Sequence, residues 1–225
     1  MISLQDALKL NNQAVALYHS NDLLEAAKTF YASLSVVNVL LKGSTLDDYE
    51  LAADTPPQNE CIHYASAPQA SGATATRNDL FVYQSALVLP ESPLPLQETQ
   101  GMTFYCAVIL FNTAVLHHQE GMRTGSSVSM DRATKLYQAS LHLVWKIDPA
   151  TNNTLSLIIL AAWNNLVQIE FEYGLVNQAG TRLQVLKTLL QSLKDILPQV
   201  FTVDEFEGML LNTLSAEGVN ASTAA

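Results

Sequence analysis

Three asparagines recur at equivalent places along this chain, and each has a side chain that both donates and accepts hydrogen bonds. Asn12 and Asn112 each open an Asn-x-Ala-Val tetrad, and Asn165 is the third member of the set. A carboxamide carries an N–H donor and a C=O acceptor, which match one peptide unit without reading its side chain. These three side chains are therefore able to bond a peptide unit. The alternative is that these amides bond neighbouring helices or water.

The histidines suggest metal binding or catalysis, and the sequence supports each of these less well than it supports a role for the asparagines. His117 and His118 are adjacent, while His63 and His142 lie elsewhere. Neighbouring side chains on a helix point about 100° apart and seldom bind one ion together, so we predict no metal site. The sequence has no motif for a cofactor or a catalytic nucleophile. An enzyme that pairs His117 with Glu170 is the least supported hypothesis, and the protein is predicted not to be an enzyme.

The asparagines belong to repeated helical units. The stretch Ala-x-Lys-x-(Phe/Tyr)-x-Ala-Ser-Leu occurs at residues 26–34 and again at 133–141, each time downstream of an Asn-x-Ala-Val tetrad. Internal repeats of this kind mark stacked supersecondary units that share one core. In the first unit Asn21 supplies a turn, and the Asp22 side chain is placed to cap a second helix. So short a connection predicts an antiparallel helix hairpin.

The helical pattern extends over most of the chain and predicts an all-α fold of six or seven helices. A loop is expected over residues 121–129, and the last residues, 215–225, are expected to form a flexible tail because they have little to bury. The predicted domain spans residues 1–214, with hairpins at about 4–42, 97–147 and 154–196 and a short extra helix over 204–214.

Residues 43–96 interrupt the helical pattern with several prolines and a tract of small residues. Within this insertion, residues 80–83 and 86–89 are rich in strand-favouring side chains, and residues 61–64 could pair with one of them. The sequence therefore predicts a small β-hairpin. Because a two-stranded ribbon is only marginally stable alone, we expect it to pack on the helices or to be partly mobile.

Aligned on helix geometry, the hairpins resemble the tetratricopeptide repeat (TPR), a 34-residue unit of two helices with small and large residues at fixed offsets. The matching positions hold Ala14, Ala114 and Val167 in the first helices, Ala26, Ala133 and Ala179 in the second, and Phe30, Tyr137 and Leu183 at the large position that follows. His117 and Glu170 stand where the motif has a large apolar side chain. They indicate either a buried polar pair or a slip of register. The resemblance implies a degenerate TPR-like solenoid of antiparallel hairpins.

The resemblance also implies a role for the asparagines. At 100° per residue, Asn12 and Ala14 lie about 200° apart on their helix, so Asn12 faces away from the helix that Ala14 packs against. In TPR superhelices an asparagine at this position lines the concave face and bonds the backbone of an extended peptide. Paired Lys and Arg residues that clamp a peptide carboxylate are not found here. The groove candidates are Asn12, Asn112, Asn165, Asn11, Tyr18, His118, Asn164, Gln168 and Phe171. The alternative for His118 is an ordinary solvent-exposed residue.

Composition limits the kind of partner. The 225 residues are 48% hydrophobic, enough for a sizeable core, and the formal net charge of −10 opposes a nucleic-acid backbone. The longest apolar stretches are shorter than the ~20 residues that cross a bilayer, so no membrane segment is expected. With only Cys61 and Cys106, no disulfide framework forms, and Cys106 is expected to be an inert core residue. These features predict a cytoplasmic or nuclear location.

Two hypotheses of function follow. The first is a non-catalytic scaffold that binds an extended peptide or a partner helix in its groove, without a cofactor. The second is a structural subunit that assembles into a homo-oligomer or larger complex through outer helix faces and the insertion. The sequence does not identify the partner.

Overall fold

The computed structural model describes residues 3–43, 80–89, 98–147, 153–193 and 201–223. Within these residues the chain is all-helical, with seven helices and no strand, which confirms the all-α part of the prediction. The helices are α1 (Leu4–His19), α2 (Leu23–Gly43), α3 (Glu98–Thr124), α4 (Ser127–Val144), α5 (Asn153–Glu172), α6 (Val176–Ser192) and α7 (Val203–Thr223).

The chain divides into two compact units. Unit 1 includes α1, α2, residues 86–89 and α3 as far as Thr113. Unit 2 includes residues 80–85, the rest of α3 and helices α4 to α7. One extended stretch, residues 80–89, therefore contributes to both units, and we call it the resident segment.

The first hairpin in unit 1 is fixed by local hydrogen bonds. Asn21 adopts the left-handed conformation, with φ of 62°, and reverses the chain between α1 and α2. The side chain of Asp22 then accepts a hydrogen bond from the N–H of Glu25 at 3.3 Å, as the N-cap prediction requires. The two helices pack against each other. Ala14 and Ala26 are both fully buried, because small side chains let the helix backbones approach closely.

Unit 2 is built from neighbouring helices that pack in chain order, α4 on α5, α5 on α6 and α6 on α7. At the turn between α3 and α4, Gly121 lies so close to Met130 that an added Cβ would overlap its side chain. The positions that the repeat pattern identified are core residues. Ala114, Ala133, Tyr137, Val167, Ala179 and Leu183 are all buried to 1% exposure or less.

Two helix boundaries differ from the prediction. The loop expected over residues 121–129 is only a short turn, because Gly125 adopts a left-handed φ of 69° and the next residue, Ser126, caps α4 by accepting a hydrogen bond from the N–H of Ser129. At the other end, α7 continues past Leu214 to Thr223, so much of the predicted tail is helical. The sequence there contains no proline to stop the helix.

The predicted β-hairpin is not confirmed among the described residues. Residues 80–83 and 86–89 form no strand, and residues 61–64 lie outside the described residues. Strand-favouring side chains and period-two spacing are present in the resident segment, but its backbone bonds side chains of the helices rather than another strand.

One helix has the length and hydropathy of a membrane span. The stretch Thr154–Glu172 of α5 contains 19 residues with a mean hydropathy of 1.3, and 83% of it is buried inside the protein. Core helices pass the same test of length and composition.

Candidate peptide-binding site

Two asparagines of unit 1 hold the backbone of the resident segment by paired hydrogen bonds. The Asn12 amide on α1 donates to the C=O of Leu89 at 2.7 Å and accepts from its N–H at 2.8 Å. Asn112 on α3 bonds Leu87 in the same pattern. Its amide donates to the Leu87 C=O at 2.8 Å and accepts from the Leu87 N–H at 2.7 Å. Each carboxamide satisfies the donor and the acceptor of one residue.

A third asparagine connects these contacts. Asn11 is completely buried, and its Nδ2 donates both to the C=O of Leu87 and to the Oδ1 of Asn12, each at 3.2 Å. Its Oδ1 accepts a hydrogen bond from Asn112 at 2.9 Å. Asn11, Asn12 and Asn112 thus form one bonded set, which we call the first clamp.

Unit 2 contains a second clamp with the same internal pattern. Asn165 on α5 donates to the C=O of Tyr83 and accepts from its N–H, both at 2.8 Å. Asn212 on α7 does the same for Phe81, also at 2.8 Å in each direction. Asn164 donates to the C=O of Phe81 at 2.9 Å and accepts from Asn212 at 2.7 Å. Asn164, Asn165 and Asn212 make up the second clamp.

The clamped residues alternate along the resident segment. Residues 81 and 83 are held in unit 2, and residues 87 and 89 in unit 1. In an extended chain the N–H and C=O of one residue point to the same side, and successive residues point to opposite sides. The asparagines therefore bond the backbone groups that a neighbouring strand would otherwise bond. This arrangement holds an extended chain and is indifferent to the side chains of the clamped residues.

Side chains of unit 2 add contacts that depend on the sequence of the segment. The Phe81 ring lies against the backbone of α7 at Gly208, where an added Cβ would overlap the ring. Tyr83 is 3% exposed and meets Phe201 edge to face, with ring centroids 6.1 Å apart. The Ser85 hydroxyl lies 3.4 Å from the Glu205 carboxylate.

Unit 1 buries smaller groups of the segment. Ala86 and Leu89 are almost completely buried, while Val88 between them is 68% exposed. The side-chain contribution in unit 1 is therefore aliphatic, whereas in unit 2 it is aromatic.

A buried series of hydrogen bonds among Tyr137, His118 and Gln168 orients the Asn165 side chain. The Asn165 Nδ2 donates to the Tyr137 hydroxyl at 2.8 Å, which lies 3.4 Å from the Nδ1 of His118. The His118 Nε2 lies 2.6 Å from the Oε1 of Gln168. Because that oxygen can only accept, His118 carries its proton on Nε2, and its Nδ1 accepts from Tyr137. When His118 is neutral, each group in this series of hydrogen bonds donates to the next one, from Asn165 through Tyr137 and His118 to Gln168.

Burial favours that neutral form. His118 is 1% exposed, and desolvation lowers its pKa to about 4 despite the opposing hydrogen bond to Gln168. The interpretation of His118 as a solvent-exposed residue was therefore wrong. It stands behind the clamp, on α3, as part of the support for Asn165.

The other predicted groove residues have varied positions. Gln168 is buried and takes part in the chain behind the second clamp, where it also donates to Glu172 at 3.1 Å. Tyr18 is 8% exposed and contacts the ring of His19 edge to face. Phe171 is half-buried near the end of α5.

Sequence reasoning did not identify Asn212. Two short similarities could have revealed it. Asn112 and Asn212 are each followed by threonine and preceded by two large apolar residues, and the paired asparagines at 11–12 recur at 164–165. The structure groups the six asparagines by these similarities, three in each unit, rather than by hairpin.

His117 and Glu170 are buried polar residues of unit 2. His117 is 1% exposed, with its Nδ1 3.6 Å from a carboxylate oxygen of Glu120, and the closeness of the His117 ring is the main cause that lowers the pKa of Glu120. Glu170 is 6% exposed and pairs with Arg182 at 2.5 Å. The Arg182 guanidinium also lies over the Trp163 ring, 4.9 Å from its centroid. Both residues are therefore buried polar groups with charged partners from unit 2.

No metal site is present among the residues that the structure describes, since no three His, Cys, Asp or Glu side chains come close enough to share an ion. His63 lies outside these residues. Cys106 is a buried free thiol whose pKa is raised to about 12 by desolvation.

The chain matches no family model, and neither a curated protein nor a solved structure matches it.

Proposed function

We propose that this protein is a non-catalytic interaction scaffold in which each clamp binds a stretch of extended peptide through its own asparagines. The observation that carries the proposal is the pairing of one carboxamide with the N–H and C=O of one residue, which occurs at Phe81, Tyr83, Leu87 and Leu89. The chain's own resident segment serves as an example of the ligand class.

The geometry favours an extended peptide over a partner helix. In a helix the backbone N–H and C=O groups are used internally, so they cannot be presented together to a carboxamide. In an extended chain they remain open on alternate residues, as the clamps require. Main-chain hydrogen bonds would give affinity, and pockets for alternate side chains would give specificity.

A TPR-like solenoid is part of the proposal. It is supported by the helix hairpins and by the burial of the repeated small residues, among them Ala14, Ala114 and Ala179. The net charge of −10 argues for peptide rather than nucleic acid as the partner.

The test uses peptide display on the full chain carrying Phe81→Ser and Tyr83→Ser, which weaken the contact of the resident segment with the second clamp. This protein is compared with versions that carry Asn165→Ala or Asn212→Ala in addition. Each substitution removes a donor and an acceptor for one ligand residue, so enrichment of bound peptides should fall at least tenfold. Asn177→Ala is the matched control, because Asn177 is exposed on α6. A bound peptide should also lose affinity when its clamped amides are N-methylated. Unchanged enrichment in both variants would refute the proposal.

A second candidate function, a structural subunit, is favoured by exposed apolar side chains on α7. Val203, Leu211 and Leu214 are 70%, 61% and 50% exposed. Light scattering tests this candidate. A mass that rises with concentration, and that Leu211→Glu reduces to the monomer, would support it, and a strict monomer at micromolar concentration would refute it.

A further inference from the structure

We propose that the second clamp is a subsite for a partner segment with aromatic side chains at positions i and i+2, and that Phe81 and Tyr83 occupy it as an intramolecular competitor. The inference rests on the proposed function, and it adds the sequence class of the ligand and the reason why binding is regulated. The partner is identified by chemistry alone, as an extended peptide with the pattern aromatic-x-aromatic.

One face of α7 is shaped for the first aromatic side chain. Glu205, Gly208 and Asn212 follow one another at spacings of three and four, which places them on the same side of the helix. Asn212 bonds the backbone of Phe81, and Gly208 leaves the space that the Phe81 ring fills. Any side chain at position 208 would remove that space, so the glycine selects for a flat ring lying on the helix.

The second aromatic position, held by Tyr83, is more deeply buried than the position of Phe81. Tyr83 is 3% exposed, its ring packs edge to face on Phe201, and burial raises the pKa of its hydroxyl. Its backbone is bonded by Asn165, which is itself supported by Tyr137. A ligand residue at this position must therefore be large and flat as well as extended.

The residue between them, Val82, is half-buried and lies outside the aromatic pattern. Val82 lies between the two clamped residues, and an extended chain turns its side chain away from the face that binds Phe81 and Tyr83. The first clamp does not share this selectivity, because it buries the aliphatic residues Ala86 and Leu89. The pattern aromatic-x-aromatic thus belongs to the second clamp.

The resident segment is tethered, which makes it a strong competitor. A covalently attached ligand has an effective concentration of order millimolar, so a free peptide of equal intrinsic affinity binds only when its concentration approaches that value. Weakening the resident segment at its two aromatic residues should therefore expose the subsite. The clamp asparagines and Gly208 remain intact in such a variant.

The experiment uses a labelled synthetic peptide with the sequence of residues 79–86, Asp-Leu-Phe-Val-Tyr-Gln-Ser-Ala, and the full chain carrying Phe81→Ser and Tyr83→Ser. Fluorescence anisotropy should show binding at least tenfold tighter to this variant than to wild type. A peptide with serine in place of both aromatic residues should bind at least tenfold more weakly. Adding Gly208→Ala to the variant should abolish binding, whereas adding Gly180→Ala should not, because the space around Gly180 is open.

The outcomes separate the two proposals. If the aromatic and serine peptides bind equally and N-methylation of the peptide still prevents binding, the aromatic subsite is refuted and backbone recognition stands. If N-methylated and unmodified peptides bind equally, the proposed function fails as well. Should the double variant not fold, wild type answers the question: excess aromatic peptide must speed hydrogen exchange at the amides of Phe81 and Tyr83, and an unchanged rate would overturn the inference.

Discussion

The side-chain amide of Asn165 accepts a hydrogen bond from the N–H of Tyr83 and donates one to its C=O, both at 2.8 Å. This relationship is the one that a neighbouring β-strand would make, with the difference that a single side chain supplies both partners. It lets a helix hold an extended chain without forming a sheet. The same relationship recurs at three further residues of the resident segment, Phe81, Leu87 and Leu89.

Replacing Asn165 by alanine should destabilise the protein. The substitution removes both bonds to Tyr83 and one to Tyr137, and it leaves buried backbone groups without a partner, which costs on the order of 2 kcal/mol. Urea denaturation measures the change in the free energy of unfolding. Asn177→Ala, at an exposed position of α6, should stay within about 0.5 kcal/mol of wild type. Equal effects of the two substitutions would contradict the clamp.

The two helical glycines Gly208 and Gly180 should respond to alanine with opposite signs. Alanine generally stabilises a helix by up to about 1 kcal/mol relative to glycine, and at Gly180 no neighbouring atom opposes it. At Gly208 the new Cβ overlaps the Phe81 ring and forces the resident segment away from α7. Thermal unfolding should therefore show a higher Tm for Gly180→Ala and a lower Tm for Gly208→Ala. A rise in both would mean that Phe81 does not lie on α7.

Acid should weaken the support of the second clamp through His118. Its pKa is lowered to about 4 in the folded protein by burial, from about 6.5 when unfolded, so folding favours the neutral ring. That stabilisation is fully present above pH 6.5 and is lost as the pH falls towards 4, with a total of about 3 kcal/mol.

Urea denaturation at several pH values between 7 and 4 measures this loss, with His118→Gln as the comparison. Glutamine cannot take up a proton, so the stability of the variant should fall less steeply over this range. The hydroxyl of Tyr137 and the amide of Gln168 face the ring and do not titrate there, which makes the difference between the two proteins specific to His118. Parallel pH profiles would contradict a buried neutral His118.

Cys106 should react with alkylating reagents only when the protein unfolds. The thiol is 1% exposed, so a reagent cannot reach it in the folded protein. Desolvation also raises its pKa to about 12, so the reactive thiolate does not form there at pH 8. In a Cys61→Ser variant, labelling at pH 8 should proceed at the rate of unfolding and accelerate with urea. Rapid labelling without denaturant would show that Cys106 is not a core residue.

The sequence predicted the parts of this protein that depend on periodicity. Helical spacing and the repeated alanines identified the hairpins, and the asparagine on the side of the helix away from Ala14 followed from geometry. The ligand of that asparagine did not follow, because a stretch rich in strand-favouring residues, such as 86–89, indicates an extended chain without specifying what it bonds. The buried state of His118 was also not predictable, since it depends on partners from α4 and α5 that are distant in the sequence.

Hydrogen exchange of the resident segment tests the central claim most directly. The amides of Phe81, Tyr83, Leu87 and Leu89 donate to clamp asparagines, while Val82 lies between two of them without such a bond. Residue-resolved NMR should show slow exchange at the four clamped amides and fast exchange at Val82, and Asn165→Ala should speed exchange most at Tyr83. Uniformly fast exchange along residues 80–89 would contradict the account.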